Sequence, residues 1–494
     1  MREGLPEAGD LTARGVSSAA GSPVRVRFSP SPTGYFHVGG ARTALFNWAF
    51  ARQHAGTFIL RIEDTDSERN REDWVDGILA AMRWIGAPWD EGPYRQSERR
   101  PLYDEAADAL FEAGRVYACD CTREAVEERT RNNPVPGYDG YCRERRLERG
   151  LGRALRFRVP DNGVTIVHDL IRGDVEFAHS TIEDFVIVRS NGEPLFVLAN
   201  CVDDREMEIS HVIRAEEHLP TTPKAVLLWE ALDEAMAPVA LPLYAHLSVL
   251  VNEKRQKISK RRDRVALEDY EADGYLPEAT ANYLCLLGWS PPGGDEFFSA
   301  EEFVANFRLE DATHSPAFFD NQKLLHFNGV YIRGLSDEEF DRRVREWAEL
   351  RGLSTEPYTT PQFRRLAPLV KERVSTLGEV PSYLEFLFVL PFTIEKASYD
   401  KAIGKDAAAH SIVRAARDGF AALPEWRAEE LRGVLEEVAL SHGRKLGRAQ
   451  APVRVATLGR SVGLPLFESL EVLGREETLT RLGAVLTESV EQIP

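Results

Sequence analysis

Residues 27–52 read RFSPSPTGYFHVGGARTALFNWAFAR. At its start, Val24, Val26 and Phe28 alternate with Arg25 and Arg27, the period of a half-buried strand. Beyond the glycines, Leu45, Trp48, Ala49 and Arg52 recur at helical spacing. In GTFILRIEDTD, residues 56–66, Phe58, Leu60 and Ile62 alternate again. Strand, turn, helix and strand predict a βαβ unit and a parallel sheet, with its ligand site beyond the carboxyl ends of the strands. Pro30 and Pro32 stiffen the loop and deny it helix. Gly34, Gly39 and Gly40 permit a close backbone approach to a ligand. A helix beginning near Gly39 aims its first N–H groups at the loop, a seat for phosphate, and His37 sits at that end. Singly, the histidine reads as a surface residue and the glycines as a tight turn. Together, between a strand and a helix, they predict a nucleotide site. The spacing matches neither G-x-G-x-x-G nor G-x-x-x-x-G-K-[ST], which excludes a dinucleotide fingerprint and a P-loop.

A chain of 494 residues is too long for one core, so two to four domains are expected. No apolar run reaches the roughly 18 residues needed to span a bilayer, and no membrane association is expected. Residues 1–22 lack an apolar signal core and are expected to be a disordered extension. Five cysteines argue for a reducing, cytoplasmic setting over a disulfide framework. The net charge of −18 opposes nucleic-acid binding on average, but binding depends on local patches. Two basic stretches stand out, EKRQKISKRRDR around Lys257 and CRERRLERGLGRALRFR over residues 142–158. Each also reads as a solvated face.

The expected fold is α/β and multidomain. An α/β domain (23–105 and 204–245) is split by an α+β insertion (106–203). In the insertion, EDFVIVRSNGEPLFVLANCVDD predicts a hairpin turning at Asn191-Gly192. EISHVIRAEEHLPTTPKAVLLWEAL then returns a strand leading into a helix. A linking subdomain follows over 246–335. Beyond it strand signals fade, and a helical module is expected in two parts, 336–395 and 396–494. Ser336 and Glu339 are spaced as a capping box there, and Leu431, Val434, Leu435 and Val438 share a helix face.

KISKR, residues 257–261, supplies two lysines and a serine able to close over a triphosphate, though basic pentapeptides are common. HVGG at the head of the first unit, paired with KISKR, resembles the HIGH and KMSKS signatures of class I aminoacyl-tRNA synthetases. SPSPTGYFHVGGARTALFNWAFAR, RIEDTD, PYRQSERRPLY, VIRAEEH, KISKRRD and YLPEATANYLCLLGW are similar to bacterial glutamyl-tRNA synthetases. The resemblance runs from about residue 24 and is tightest over the first 330.

That resemblance implies a Rossmann-type class I catalytic domain, a stem-contact region around KISKR and an all-helical anticodon-binding module. It implies a ligase that activates L-glutamate with ATP and Mg²⁺ and transfers it to the 3′ end of tRNA(Glu). His37, Gly39, Lys257 and Lys260 would carry the catalytic role. Gly40, Glu217 and His218 would join them around ATP. Arg27, Ser29, Ser31, Glu63, Phe196, Asn200 and Arg214 would hold glutamate, with the two arginines on carboxylates and Glu63 on the ammonium. The family usually has tyrosine where this chain has Phe196, which removes a phenol. The family expectation is a monomer.

Cys119-x-Cys121, then Tyr138-x₃-Cys142, give thiolates at a spacing suited to structural Zn²⁺. The family divides on this site, and the fourth ligand would be Tyr138 or Glu144. The other reading is three buried or free thiols. Three further alternatives stay open. A non-discriminating enzyme would also charge tRNA(Gln), which the anticodon contacts near Arg373 would decide. A small-molecule nucleotidylyltransferase shares the HxGH-type loop. A tRNA-binding protein with a dead site would not be expected to keep His37, Lys257 and Lys260.

Overall fold

The structure, a computed structural model, describes residues 23–65, 70–132, 137–259 and 263–487. The expected extension over 1–22 and Lys260 of KISKR lie outside the described residues. The chain forms two compact units. One runs to Asp269 and takes in Thr280–Asp320, and the other joins Tyr270–Ala279 to the chain from Asn321 onward.

In the first unit the strands of the two larger sheets are, in chain order, β1 (Arg25–Phe28), β2 (Thr57–Ile62), β3 (Glu91–Arg95), β4 (Val116–Cys119), β5 (Ala154–Phe157), β6 (Val164–Asp169), β7 (Gly173–Ala178), β8 (Val186–Val188), β9 (His211–Ala215) and β10 (Leu243–Leu247). Seven of them form one sheet in the order β3-β2-β1-β9-β10-β6-β7. All neighbours are parallel except the β6–β7 pair. The chain leaves β1 toward β2 on one side and later returns to its other side as β9. That reversal opens a crevice at the carboxyl ends of β1 and β9, where ligands bind in open α/β sheets.

Helix α1 (Val38–Gln53) packs on this sheet with residues of nearly every face buried, among them Val38, Ala41, Leu45, Phe46 and Phe50. Its buried Asn47 donates to Thr43 O at 2.8 Å and to Ile213 O at 3.1 Å, which ties the helix to β9. The stretch 106–203 divides. β4, β5 and β8 form a separate antiparallel sheet, whereas the β6–β7 hairpin extends the edge of the main one.

The predicted Asn191-Gly192 hairpin is half right. Gly192 has φ +89°, and Arg189 N and Leu195 N donate across the turn to Glu193 O and Ile187 O. The second arm is a single bridge at Pro194, followed by helix α2 (Phe196–Glu206). Val197 through Arg205 are all buried, so no exposed face marks the helix, and its apolar first turn, Phe196–Ala199, reads equally as strand. After β9, helix α3 (Thr222–Ala235) completes the predicted strand-to-helix return.

The second unit is helical around one apolar core that includes Phe340, Val344, Phe363, Leu366, Ile412, Phe420, Leu435 and Leu470. Helix Asp337–Leu350 shows half of the expected capping box. Ser336 Oγ accepts from Glu339 N at 3.1 Å, but the Glu339 carboxylate turns to Arg342 and Arg343 instead. In helix Ala428–Ser441, Leu431, Leu435 and Val438 are buried, and Val434 is half-buried against the same core.

Candidate active site

A cavity of about 650 Å³ opens beyond the carboxyl ends of the central strands. It is lined by the loop after β1, Glu63 after β2, Ala215, Glu217 and His218 at the end of β9 and beyond, and Ser248–Leu250 after β10. Arg27, Ser29, Ser31, Glu63, Phe196, Asn200 and Arg214 all line it, and so do His37, Gly39, Gly40, Glu217, His218 and Lys257.

The histidine does more than the sequence suggested. His37 is the N-cap of α1, and its Nδ1 accepts from Gly39 N at 3.1 Å and Gly40 N at 3.2 Å. Val38 N donates to Val265 O and Ala41 N to His37 O. The first N–H groups of the helix are therefore satisfied within the protein, and the expected bare phosphate seat is absent. With Nδ1 accepting, the ring proton of the neutral imidazole resides on Nε2, and that edge is what the helix end offers a ligand. The glycines have a matching role. A Cβ on Gly39 would lie 3.1 Å from the His37 ring, and one on Gly40 would lie 2.7 Å from Phe36. They admit neighbouring side chains and not only a ligand.

The arginines rest on a buried network that the sequence reading missed. Arg27 pairs with Asp204 through Nε at 3.1 Å and Nη2 at 3.2 Å. Arg61, wholly buried, donates to Asp204 at 2.8 Å and to Asn200 Oδ1 at 2.7 Å. Asp203 accepts from Gln96 at 3.0 Å, Arg99 at 2.6 Å and the Tyr103 hydroxyl at 2.9 Å. Asn200, Asp203 and Asp204 stand at i, i+3 and i+4 on α2, hence on one face. That spacing is the signal that could have revealed them. Burial opposes ionisation of Asp204, but Arg27 and Arg61 hold its carboxyl below the ordinary value. Burial raises the Glu63 carboxyl, against the pull of Arg61 and Arg27. Ser31 Oγ donates to Glu63 at 3.4 Å, and the buried Ser29 Oγ has no hydrogen-bond partner.

Arg214 differs from Arg27. Its Nη2 donates to Thr222 Oγ1 at 2.9 Å and its Nε to His246 Nε2 at 3.3 Å. Among the described residues no carboxylate pairs with it. Phe196 stacks on His218, with centroids 5.5 Å apart and planes 20° apart. Burial, with the charge of Arg214, lowers the His218 imidazole to about 4. Lys257 forms an ion pair with Glu217. The adjacent Glu216 turns away to Arg172 and Val249 N. Arg42, also missed, lies buried beside the cavity and donates to Ser248 O and Leu287 O, and burial lowers its guanidinium to about 10.

Away from the cavity, the Cys119, Cys121 and Cys142 sulfurs lie within 4.8 Å of one another. The Tyr138 hydroxyl is 3.5 Å from Cys119 Sγ and accepts from Cys142 N at 2.7 Å. Three sulfurs this close could hold a metal ion such as Zn²⁺, and the Tyr138 hydroxyl lies beside them. Glu144 is instead exposed and paired with Arg158. The arginines of this stretch are largely engaged within the protein. Arg143, Arg145, Arg149 and Arg158 pair with acidic residues, and Arg156 donates to Cys119 Sγ.

Comparison with known proteins gives the family of the chain. Residues 23–326 match the family of class I tRNA synthetases (E and Q), catalytic domain, and residues 339–486 match an anticodon binding domain. The glutamate–tRNA ligase of Thermobifida fusca is 56% identical over 471 residues, covering 94% of this chain and 97% of that protein. That of Salinispora arenicola is 54% identical, covering 93% and 98%. Among solved structures, a glutamate tRNA ligase from Elizabethkingia meningosepticum, in complex with its amino acid, superposes with a TM-score of 0.80 at 29% identity. It covers 96% of this chain and all of that one.

Proposed function

We infer, since the chain belongs to the class I glutamate–tRNA ligases, that its cavity joins L-glutamate to ATP and passes the glutamyl group to the 3′ end of tRNA(Glu). The observation that carries this reading is the meeting in one cavity of Arg27, Arg214 and Glu63 with His37, Glu217 and Lys257. Two guanidiniums match two carboxylates, and one carboxylate matches an ammonium. An oxygen of the substrate α-carboxylate attacks the α-phosphorus of ATP, and pyrophosphate leaves. The terminal ribose hydroxyl of the tRNA then attacks the acyl carbon, and AMP leaves. No enzyme nucleophile is needed. Cys201 and Cys285 are buried, and burial raises both thiols.

His37 donates from Nε2 to an ATP phosphate oxygen, while Lys257 and Lys260 offset charge on the departing pyrophosphate. Lys257 must exchange Glu217 for phosphate to do so. Mg²⁺ accompanies ATP and supplies further charge neutralisation. Arg27 Nη1 is left to the cavity by its two bonds to Asp204, and Ser29, Ser31 and Asn200 complete the amino-acid subsite. Phe196 contributes an apolar wall in place of a phenol.

The insertion 106–203 is assigned to the acceptor end of tRNA, 246–335 to its stem, and 336–395 with 396–494 to the anticodon. Cys119, Cys121, Cys142 and Tyr138 are assigned to one structural Zn²⁺. Metal analysis of the purified protein checks this, with one equivalent expected and none sinking it. Five unpaired cysteines support a cytoplasmic setting. The family resemblance supports a monomer. The anticodon-binding match over 339–486 has no place in a small-molecule nucleotidylyltransferase.

Charging of separate tRNA(Glu) and tRNA(Gln) preparations with labelled glutamate, with and without ATP, tests the reading. ATP-dependent charging of tRNA(Glu) supports it, and failure with sound protein and tRNA refutes it. Charging of tRNA(Gln) as well marks the non-discriminating form. Arg373 is the residue assigned to that choice.

A further inference from the structure

Of the two cavity arginines assigned to glutamate, Arg27 and Arg214, one is neutralised by the protein and one is not. Asp204 grips Arg27 through two oxygens. Arg214 is gripped instead by a hydroxyl and an imidazole. Behind that imidazole stands a carboxylate. Asp169 Oδ2 accepts from His246 Nδ1 at 2.6 Å and from His246 N at 3.0 Å, and Asp169 Oδ1 accepts from Ile171 N and Arg172 N. Asp169 is thereby fixed, and it fixes the ring. The Nδ1 proton points at Asp169, so Nε2 presents a lone pair. Thr222 Oγ1 lies 3.0 Å from that nitrogen and also accepts from Arg214 Nη2. His246, Thr222 and Asp169 are all buried, and Tyr244 stacks on the imidazole at 6.2 Å with planes 8° apart.

We propose that His246 is a positioning residue that aims the Arg214 guanidinium into the cavity without cancelling its charge, and so sets the preference for an acidic amino-acid side chain. The inference rests on the reading of Arg214 as a ligand of a substrate carboxylate. Nε2 must be unprotonated, because an N–H there would face the Arg214 Nε–H. A neutral acceptor orients a guanidinium as a carboxylate does, but leaves its full charge for the ligand. The buried surroundings agree. Desolvation outweighs Asp169 and, with Arg214 and Arg172, lowers the imidazole below its ordinary value. A carboxylate in place of His246 would repeat the Asp204–Arg27 pair and quench the second cation.

The test measures KM for glutamate, KM for ATP and kcat in tRNA charging for His246→Leu, His246→Gln and Arg214→Lys. The Gln carbonyl can take the place of Nε2 as acceptor, whereas Leu cannot. His246→Leu is expected to raise the glutamate KM by roughly 10–100-fold, the range for losing a hydrogen bond to a charged group, with ATP KM within about twofold. His246→Gln is expected to stay within about fivefold of the parent. A His246→Leu protein with unchanged glutamate KM overturns the proposal. So does one in which both KM values rise together, or a Gln variant as impaired as Leu. Should Leu prevent folding, Thr222→Val removes the shared hydroxyl, and an unchanged glutamate KM there also overturns it. Arg214→Lys separates the two levels. If it leaves the glutamate KM unchanged, the reading of Arg214 itself falls. If it raises that KM while the His246 variants do not, only the positioning role falls.

Discussion

In and behind one cavity, the side chains of Arg27, Arg61, Asp203 and Asp204 are 0–8% exposed, whereas those of Lys257 and Glu217 are 61% and 45% exposed. The first group sits on β1, β2 and α2, inside the regular structure. The second sits on segments that follow β9 and β10. The buried side holds its charges in fixed geometry before any ligand arrives, which suits a choice between amino acids differing by a few atoms. The exposed side offers a charge on a long stem that can leave one anion for another, which suits a triphosphate whose charge moves during the reaction.

The contrast is broken most severely from the buried side. Asp204→Ala leaves two buried guanidiniums without their shared partner, and breaking such a pair costs about 3–5 kcal/mol. A fall of that size in unfolding free energy from urea titration is expected, together with a raised glutamate KM. A loss under about 1 kcal/mol would show the network to be less tightly coupled than its distances imply. On the exposed side, Lys257→Ala is expected to lower kcat by roughly 10²-fold while stability stays within about 0.5 kcal/mol. A raised glutamate KM with normal kcat would reassign Lys257 to the wrong end.

Two histidines make the contrast depend on pH. Burial lowers His211, helped by His54, and likewise His218, helped by Arg214, each to about 4 from an ordinary 6.5. The unfolded chain therefore binds protons before the folded one. Their contribution to stability is complete above pH 6.5 and is lost as pH falls toward about 4. A urea midpoint that holds steady across that window would contradict the burial argument. The smallest effect is expected from Phe196→Tyr. A restored phenol adds at most one neutral hydrogen bond, about 0.5–1.5 kcal/mol, and so changes the glutamate KM by less than about tenfold. A larger change would mean that the stack on His218 constrains the subsite.

Much of this was legible in the residues. The alternation around Val26 and the glycines after His37 placed a βαβ unit and the loop that lines its cavity. What remained hidden had physical causes. Arg61 and Asp204 are 143 residues apart, and nothing local marks them as partners. The helix carrying Asp204 is buried all round and opens on an apolar turn, which passed for a strand. The role of His37 as a cap was hidden for another reason. An imidazole is not among the side chains usually sought at an N-cap, yet with two glycines following it Nδ1 can reach both their N–H groups.

The division of the chain also bears on its birth. The polypeptide passes between the two compact units at 269/270, 279/280 and 320/321. Leu276 and Ala279 belong to the helical core but leave the ribosome well before Phe340 or Leu470. During translation this short stretch must wait, its apolar side chains uncovered, until the partners that bury it have been made. A fragment starting at Asn321 would inherit the helices without those two side chains. The helical unit thus has to be cut out with its upstream segment, or studied in the whole chain.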